Sequence, residues 1–177
     1  MKTFKVPTRD DVSPANQAIF DTLEKKLGKI PNSYAFMASS ETGLATYLTL
    51  SNAKSSLSIK EKEVINLTVS EINGCHYCTS AHTVIGKLNG FTDEQILEIR
   101  CGGASFDAKL DALARFVKEV ANNKGNASEE AIDNFFASGY TNEGLVDTLL
   151  IAAERTFSNY LNAIVNVPID FPVAPKI

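Results

Sequence analysis

The 177-residue sequence predicts an all-α protein, a compact multi-helix bundle in a single domain spanning 1–177. Three observations carry that expectation. Apolar positions recur at helical spacing, most plainly at Leu110, Leu113, Ala114, Val117, Val120 and Ala121. Helix-start chemistry precedes several runs: Ser58-Ile59-Lys60-Glu61 and Thr92-Asp93-Glu94-Gln95 read as capping boxes, in which the first and last side chains satisfy each other's free backbone N–H groups. No segment alternates with period two, and no hairpin turn joins two β-like runs.

In chain order, Ser13-Pro14 supplies an N-cap and a proline at the first helical position, opening a helix that Gly28 ends after Leu27. Pro31 starts a short apolar segment, Ser33 to Ala38, and a helix is expected from Glu41 to about Ser55. The Ser58 box opens a helix that stops at Asn73-Gly74. The next begins near Cys75 and stops at Asn89-Gly90, and the Thr92 box opens one that ends at Cys101-Gly102-Gly103. Helices from Asp107 to Asn123 and, capped by Ser128, from Glu129 to Ala137 follow. A long and mostly apolar helix closes the chain from Asn142 to about Val165, carrying Leu145, Leu149, Ala152, Phe157, Leu161 and Ile164. From about residue 166 the tail is extended, either solvated or laid on a neighbouring subunit.

Composition excludes several classes. Hydrophobic residues make 44% and charged residues 21%, a balance that supports a core, and a net charge of -4 lacks the concentrated basic face that nucleic acid requires. No apolar run reaches membrane-spanning length, and the charged, proline-bearing N-terminus is unlike a signal peptide. The expectation is a cytoplasmic protein without membrane or nucleic-acid partners. Three cysteines, Cys75, Cys78 and Cys101, are too few and odd in number for a secreted disulfide framework. Phosphate loops, dinucleotide fingerprints and H-E-x-x-H are absent, so no cofactor is expected.

The chemistry concentrates in Glu71-Ile72-Asn73-Gly74-Cys75-His76-Tyr77-Cys78-Thr79-Ser80-Ala81-His82. A helix starting at Asn73-Gly74 sets Cys75 in its first turn, where free N–H groups and the helix dipole favour a thiolate. Three-residue spacing lets Cys75 and Cys78 close a disulfide without unwinding the helix. His82 follows Cys78 by four residues and shares its face, so an imidazole there can take a thiol proton. A carboxylate is then expected behind the imidazole. Glu71 and Glu63 are the candidates. Glu63 is preferred, because an antiparallel packing through the Asn73-Gly74 bend brings it level with His82, whereas Glu71 stays at the bend.

These residues resemble the carboxymuconolactone decarboxylase family, and within it the AhpD-like alkylhydroperoxidases, whose pattern E-x3-C-x2-C-x3-H stands here as Glu71, Cys75, Cys78 and His82. The flanks LGKIPNSYAFMASS and NYLNAIVNVPIDFP extend the likeness over most of 25–172. The resemblance implies an AhpD-like helical bundle, a trimeric or hexameric homo-oligomer, and reduction of a small hydroperoxide by the cysteine pair, recharged by an external dithiol or disulfide reductase. It also implies a relay from thiol to His82 to Glu63. One departure stands out: defining peroxidase members carry a histidine just before the second cysteine, where this chain has Tyr77, with His76 one position earlier.

Other readings of the same residues compete. The cysteines can be small buried hydrophobes, or Cys75, Cys78, His82 and Cys101 can supply zinc ligands to a non-catalytic or redox-sensing oligomer. Lactone decarboxylation is the rival enzymatic reading, but it leaves the paired thiols unexplained. Cys101 is expected to be structural and His76 to lie on the surface.

Overall fold

The computed structural model describes residues 4–177. A single 3₁₀ turn at Arg9–Asp11 precedes nine helices among the described residues: α1 (Pro14–Leu27), α2 (Asn32–Met37), α3 (Gly43–Ser51), α4 (Ile59–Ile72), α5 (His76–Leu88), α6 (Asp93–Arg100), α7 (Ala108–Asn122), α8 (Glu129–Ala137) and α9 (Asn142–Val165). Local signals set most boundaries. The Ser13 side chain accepts from the Asn16 N–H, and both capping boxes form with their reciprocal hydrogen bonds. The third helix is shorter than its sequence suggests, because Ser40–Thr42 form a turn and Asn52 caps the chain at its other end.

Helix α4 is the hub and touches α5, α6, α7 and α9. Its Val64, Ile65, Leu67 and Val69 are fully buried with Ile96, Ile99, Leu113, Val117 and Phe135 in the main core. A second core joins Phe20, Leu23, Leu44 and Tyr47 from α1 and α3. A third, small cluster holds Cys75, Tyr77 and Cys78 against Val165 and Val167.

The turn between α4 and α5 positions the site. Gly74 adopts a left-handed φ of 63°, which costs glycine nothing. Its N–H donates to Glu71 O, and the Cys75 N–H donates to Ser70 O, the paired bonds that terminate a helix in a Schellman motif. Cys75 is therefore both the third residue past α4 and the N-cap of α5. Only Asn73, Gly74 and Cys75 lie between the two helices.

The last helix has the bounds its sequence suggests, and its two faces divide unusually. Its apolar Leu149, Phe157 and Ile164 are exposed, whereas Thr148, Glu154, Arg155, Ser158, Asn159 and Asn162 are buried. The tail neither floats nor reaches away. Residues 166–177 lie back over this chain's own α5, where the Ala174 N–H donates to Ser80 Oγ at 3.1 Å. Among the described residues no helix is long and apolar enough to cross a membrane.

Candidate functional site

Cys75 and Cys78 stand on the first turn of α5 as free thiols, both almost completely buried. The Cys78 N–H donates to Cys75 Sγ at 3.3 Å, and Cys75 Sγ–H donates to Cys78 Sγ at 2.8 Å. This arrangement splits the pair. Cys78 is held well below the ordinary thiol range: the hydrogen bond from Cys75 leads, burial opposes it, and Arg155, the Asn162 amide and His82 add to the lowering. Cys75 moves the opposite way, raised by its hydrogen bond to Cys78, then by burial and by the charge on Cys78. The first-turn location thus favours Cys78 as the thiolate, with Cys75 as proton-bearing partner.

His82 lies one helical turn beyond Cys78. Its Nδ1 meets Glu63 Oε2 at 2.7 Å across the α4–α5 turn, with both side chains buried. Burial alone would raise the Glu63 pKa, but His82, a hydrogen bond from Asn66 and the charge of Arg155 outweigh it and hold the carboxyl below its usual range. Glu71 is elsewhere. It faces Arg100, whose Nε donates to Glu71 Oε2 at 2.8 Å, and it does not line the cavity that Cys78 and His82 share.

The sequence reading missed the contribution of α9. Arg155 Nε donates to Asn66 Oδ1 at 3.0 Å, and Asn66 Nδ2 donates to Glu63 Oε1 at 3.0 Å, so the guanidinium holds the carboxylate through one amide. Its other nitrogens donate to Ser158 Oγ at 3.1 Å and Glu154 Oε2 at 3.2 Å. Burial alone would favour neutral Arg155, yet Tyr47, Glu154, Cys78 and Glu63 keep it charged. Asn162 Nδ2 donates to Cys78 Sγ at 3.3 Å. The available signal was the spacing of Glu154, Ser158 and Asn162, four residues apart along one stripe of an otherwise apolar helix.

A cavity of about 460 Å³ opens onto these groups. Cys78, His82, Glu63, Arg155 and Asn162 form its polar end, and Tyr34, Tyr47, Leu50, Ile59, Ile85 and Leu88 are among its apolar walls. Cys75 is not part of the lining and packs behind Cys78 in the cluster with Val165 and Val167.

The remaining singled-out residues are separate. His76 is exposed. Tyr77 Oη donates to Asp170 Oδ1 at 2.7 Å and accepts from the Ser33 N–H at 3.2 Å. Cys101, expected to be structural, is exposed at the end of α6, where it is the C-cap residue. Among the described residues no group of three or more His, Cys, Asp or Glu side chains is placed to hold a metal ion, so the four-ligand zinc set is not gathered.

Residues 40–119 match the model of the carboxymuconolactone decarboxylase family. A 38-residue stretch is 47% identical to the alkyl hydroperoxide reductase AhpD of Mycobacteroides abscessus, spanning 22% of this chain and 22% of that protein. Among solved structures, a peroxidase-related protein with an alkylhydroperoxidase AhpD core from Ralstonia eutropha JMP134 superposes with a TM-score of 0.84 at 18% identity, covering 94% of this chain and 91% of its own. A peroxidase-related protein from Silicibacter sp. TM1040 gives 0.80 at 19% identity, covering 94% and 90%. The debrominase Bmp8 gives 0.76 at 20% identity, covering 93% and 90%. At these identities the structures speak for the fold. Residues 40–119 thus carry the likeness to the carboxymuconolactone decarboxylase family, and the chain around them has the fold of the AhpD-core structures.

Proposed function

We propose that this protein is a thiol-dependent peroxidase that reduces organic hydroperoxides. One observation carries the reading: the low-pKa thiol, Cys78, opens into a largely apolar cavity beside His82–Glu63, while a second thiol, Cys75, waits 2.8 Å behind it. The proton lost by Cys78 passes to His82, whose Nδ1 is committed to Glu63 and whose Nε2 exchanges protons. The thiolate attacks the terminal peroxide oxygen. An S–O bond forms, the O–O bond breaks, and the leaving alkoxide takes the proton held by His82, giving an alcohol and a Cys78 sulfenic acid. Cys75 then attacks that sulfur, water leaves, and a disulfide forms after the sulfurs close by about 0.8 Å to the bonded distance of ~2.05 Å. An external dithiol or disulfide reductase restores both thiols.

No cofactor enters this cycle. Glu71 takes no part in the relay and serves as the ion-pair partner of Arg100. The protein works in a reducing cytoplasm as a trimer or hexamer, joined through the exposed apolar stripe of α9. Lactone decarboxylation is the weaker reading, because it has no use for two facing thiols.

The test is consumption of cumene hydroperoxide by purified protein supplied with dithiothreitol, wild type beside Cys78→Ser and Cys75→Ser. Turnover is expected in the wild type and lost in Cys78→Ser, with one stoichiometric turnover remaining in Cys75→Ser. Wild-type protein that leaves the hydroperoxide intact defeats the reading.

A further inference from the structure

The buried polar end of the cavity holds one group that the relay does not use. Asn162 is 5% exposed and lines the cavity, its Nδ2 donates to Cys78 Sγ at 3.3 Å, and its Oδ1, fully buried, has no hydrogen-bond partner among the described residues. An unpaired buried carbonyl oxygen carries a desolvation penalty that folding normally avoids. Its neighbours satisfy their own needs. Asn159, one helical turn earlier, donates to Ser70 Oγ and accepts from Asn73 Nδ2, and Asn66 bridges Arg155 and Glu63. Only Asn162 presents a donor to the reactive sulfur and a free acceptor beside it.

We propose that Asn162 is a substrate-binding residue whose Oδ1 accepts the O–H of the incoming hydroperoxide while Nδ2 orients the Cys78 sulfur. The inference rests on the peroxidase reading and adds a contact to it. A hydroperoxide carries one hydrogen-bond donor, the O–H on its terminal oxygen, and that oxygen is the atom the thiolate attacks. An amide spanning sulfur and hydroxyl sets those two atoms side by side. The electron balance is that of the cycle above. Sulfur loses two electrons, the O–O bond accepts them, the hydroxyl hydrogen stays on the oxygen that becomes S–OH, and the alkoxide receives the proton from His82. Dialkyl peroxides, with no such donor, gain nothing from Oδ1, so selectivity for free hydroperoxides follows.

The test compares two electrophiles on the reduced protein, each at a pH where Cys78 is fully ionised. Cumene hydroperoxide needs the acceptor; iodoacetamide, which alkylates the same sulfur, presents no O–H. In Asn162→Ala and Asn162→Ser the peroxide rate is expected to fall at least about tenfold relative to the iodoacetamide rate, the scale of one ordinary hydrogen bond. Asn162→Asp keeps an acceptor, so its peroxide-to-iodoacetamide ratio is expected to stay near the wild-type value even as its thiol titrates at higher pH. Wild-type peroxide reduction with an unchanged ratio in both truncations overturns the Asn162 assignment alone. A wild-type Cys78 that takes iodoacetamide but no hydroperoxide overturns the peroxidase reading, and the assignment with it.

Discussion

The Glu63 carboxylate and the His82 imidazole meet at 2.7 Å although they are 19 residues apart in the chain. The Schellman turn at Gly74 makes the meeting possible, because it folds α5 back on α4 with only Asn73, Gly74 and Cys75 between them. An anion set against Nδ1 fixes the tautomer and stabilises the imidazolium.

His82→Ala is accordingly expected to cut peroxide turnover by roughly 10²–10⁴-fold, the usual contribution of a positioned base. Glu63→Gln should lose less, since the imidazole remains and only its charged partner is gone. Glu71→Gln should leave turnover nearly intact while lowering stability by about 1–3 kcal/mol in urea unfolding, because the buried Arg100 guanidinium loses its charged acceptor. Loss of turnover in Glu71→Gln equal to that in His82→Ala, with Glu63→Gln silent, would reassign the carboxylate.

The lowered pKa of Cys78 sets a pH dependence. A thiol shifted below the ordinary ~8.5 is already ionised at neutral pH, so its alkylation by iodoacetamide should be flat from neutral upward and fall only in acid. Arg155 is the strongest charge acting on that sulfur, so Arg155→Met should move the fall toward neutral pH and Arg155→Lys should move it less. A profile that rises steadily to pH 9 in the wild type contradicts the thiolate assignment.

What was legible in the sequence was local. Capping at Ser58 and Thr92, the stop at Gly74 and the C-x-x-C…H register all depend on residues within a turn or two of each other, and the fold class and helix order follow from them. Glu63 was reachable because a short bend constrains two adjacent helices. Arg155 and Asn162 were not, since they reach Asn66 and Cys78 across 89 and 84 residues and nothing local announces such a contact. The polar stripe on α9 was overlooked in favour of its apolar residues, of which Leu149, Phe157 and Ile164 face outward. The exposure of Cys101 likewise depends on which way the chain leaves α6.

That exposure yields a labelling test. In native reduced protein a bulky maleimide should modify Cys101 first, while one equivalent of cumene hydroperoxide should join Cys75 to Cys78 and leave Cys101 free. Peptide mass mapping reads both. A Cys101-linked product would remove the two-cysteine mechanism.

The outward stripe of α9 predicts assembly. Val146, Tyr160 and Ile164 are more than half exposed, and a patch of this kind on one helix face is costly unless another subunit covers it. Light scattering should give a trimer or hexamer for the wild type and a smaller species for Val146→Glu/Ile164→Glu, with helical content unchanged. A monomeric wild type at micromolar concentration refutes the assembly.

The tail sets the last expectation, through Asp170. Its Oδ1 accepts from Tyr77 Oη at 2.7 Å, and its Oδ2 pairs with Lys29 Nζ at 3.1 Å. Beside it Phe171 meets the Tyr77 ring edge-on at 5.7 Å, with the Lys29 ammonium 3.9 Å from its centroid. These contacts hold the chain after α9 against the helix that bears the cysteines, where Val165 and Val167 share one buried cluster with Cys75 and Cys78. Asp170→Ala leaves the buried Tyr77 hydroxyl without its acceptor, which should cost about 1–3 kcal/mol. It should also let the tail open more often, because local opening draws on the free energy of the contacts that hold a segment down. The Cys75–Cys78 disulfide should then be reduced faster by a protein dithiol, which must reach a sulfur from outside, than by dithiothreitol, which fits the cavity and should change little. Equal acceleration of both reductants would mean that the substitution loosens the whole site, and no acceleration of either would mean that the tail does not limit access to Cys75.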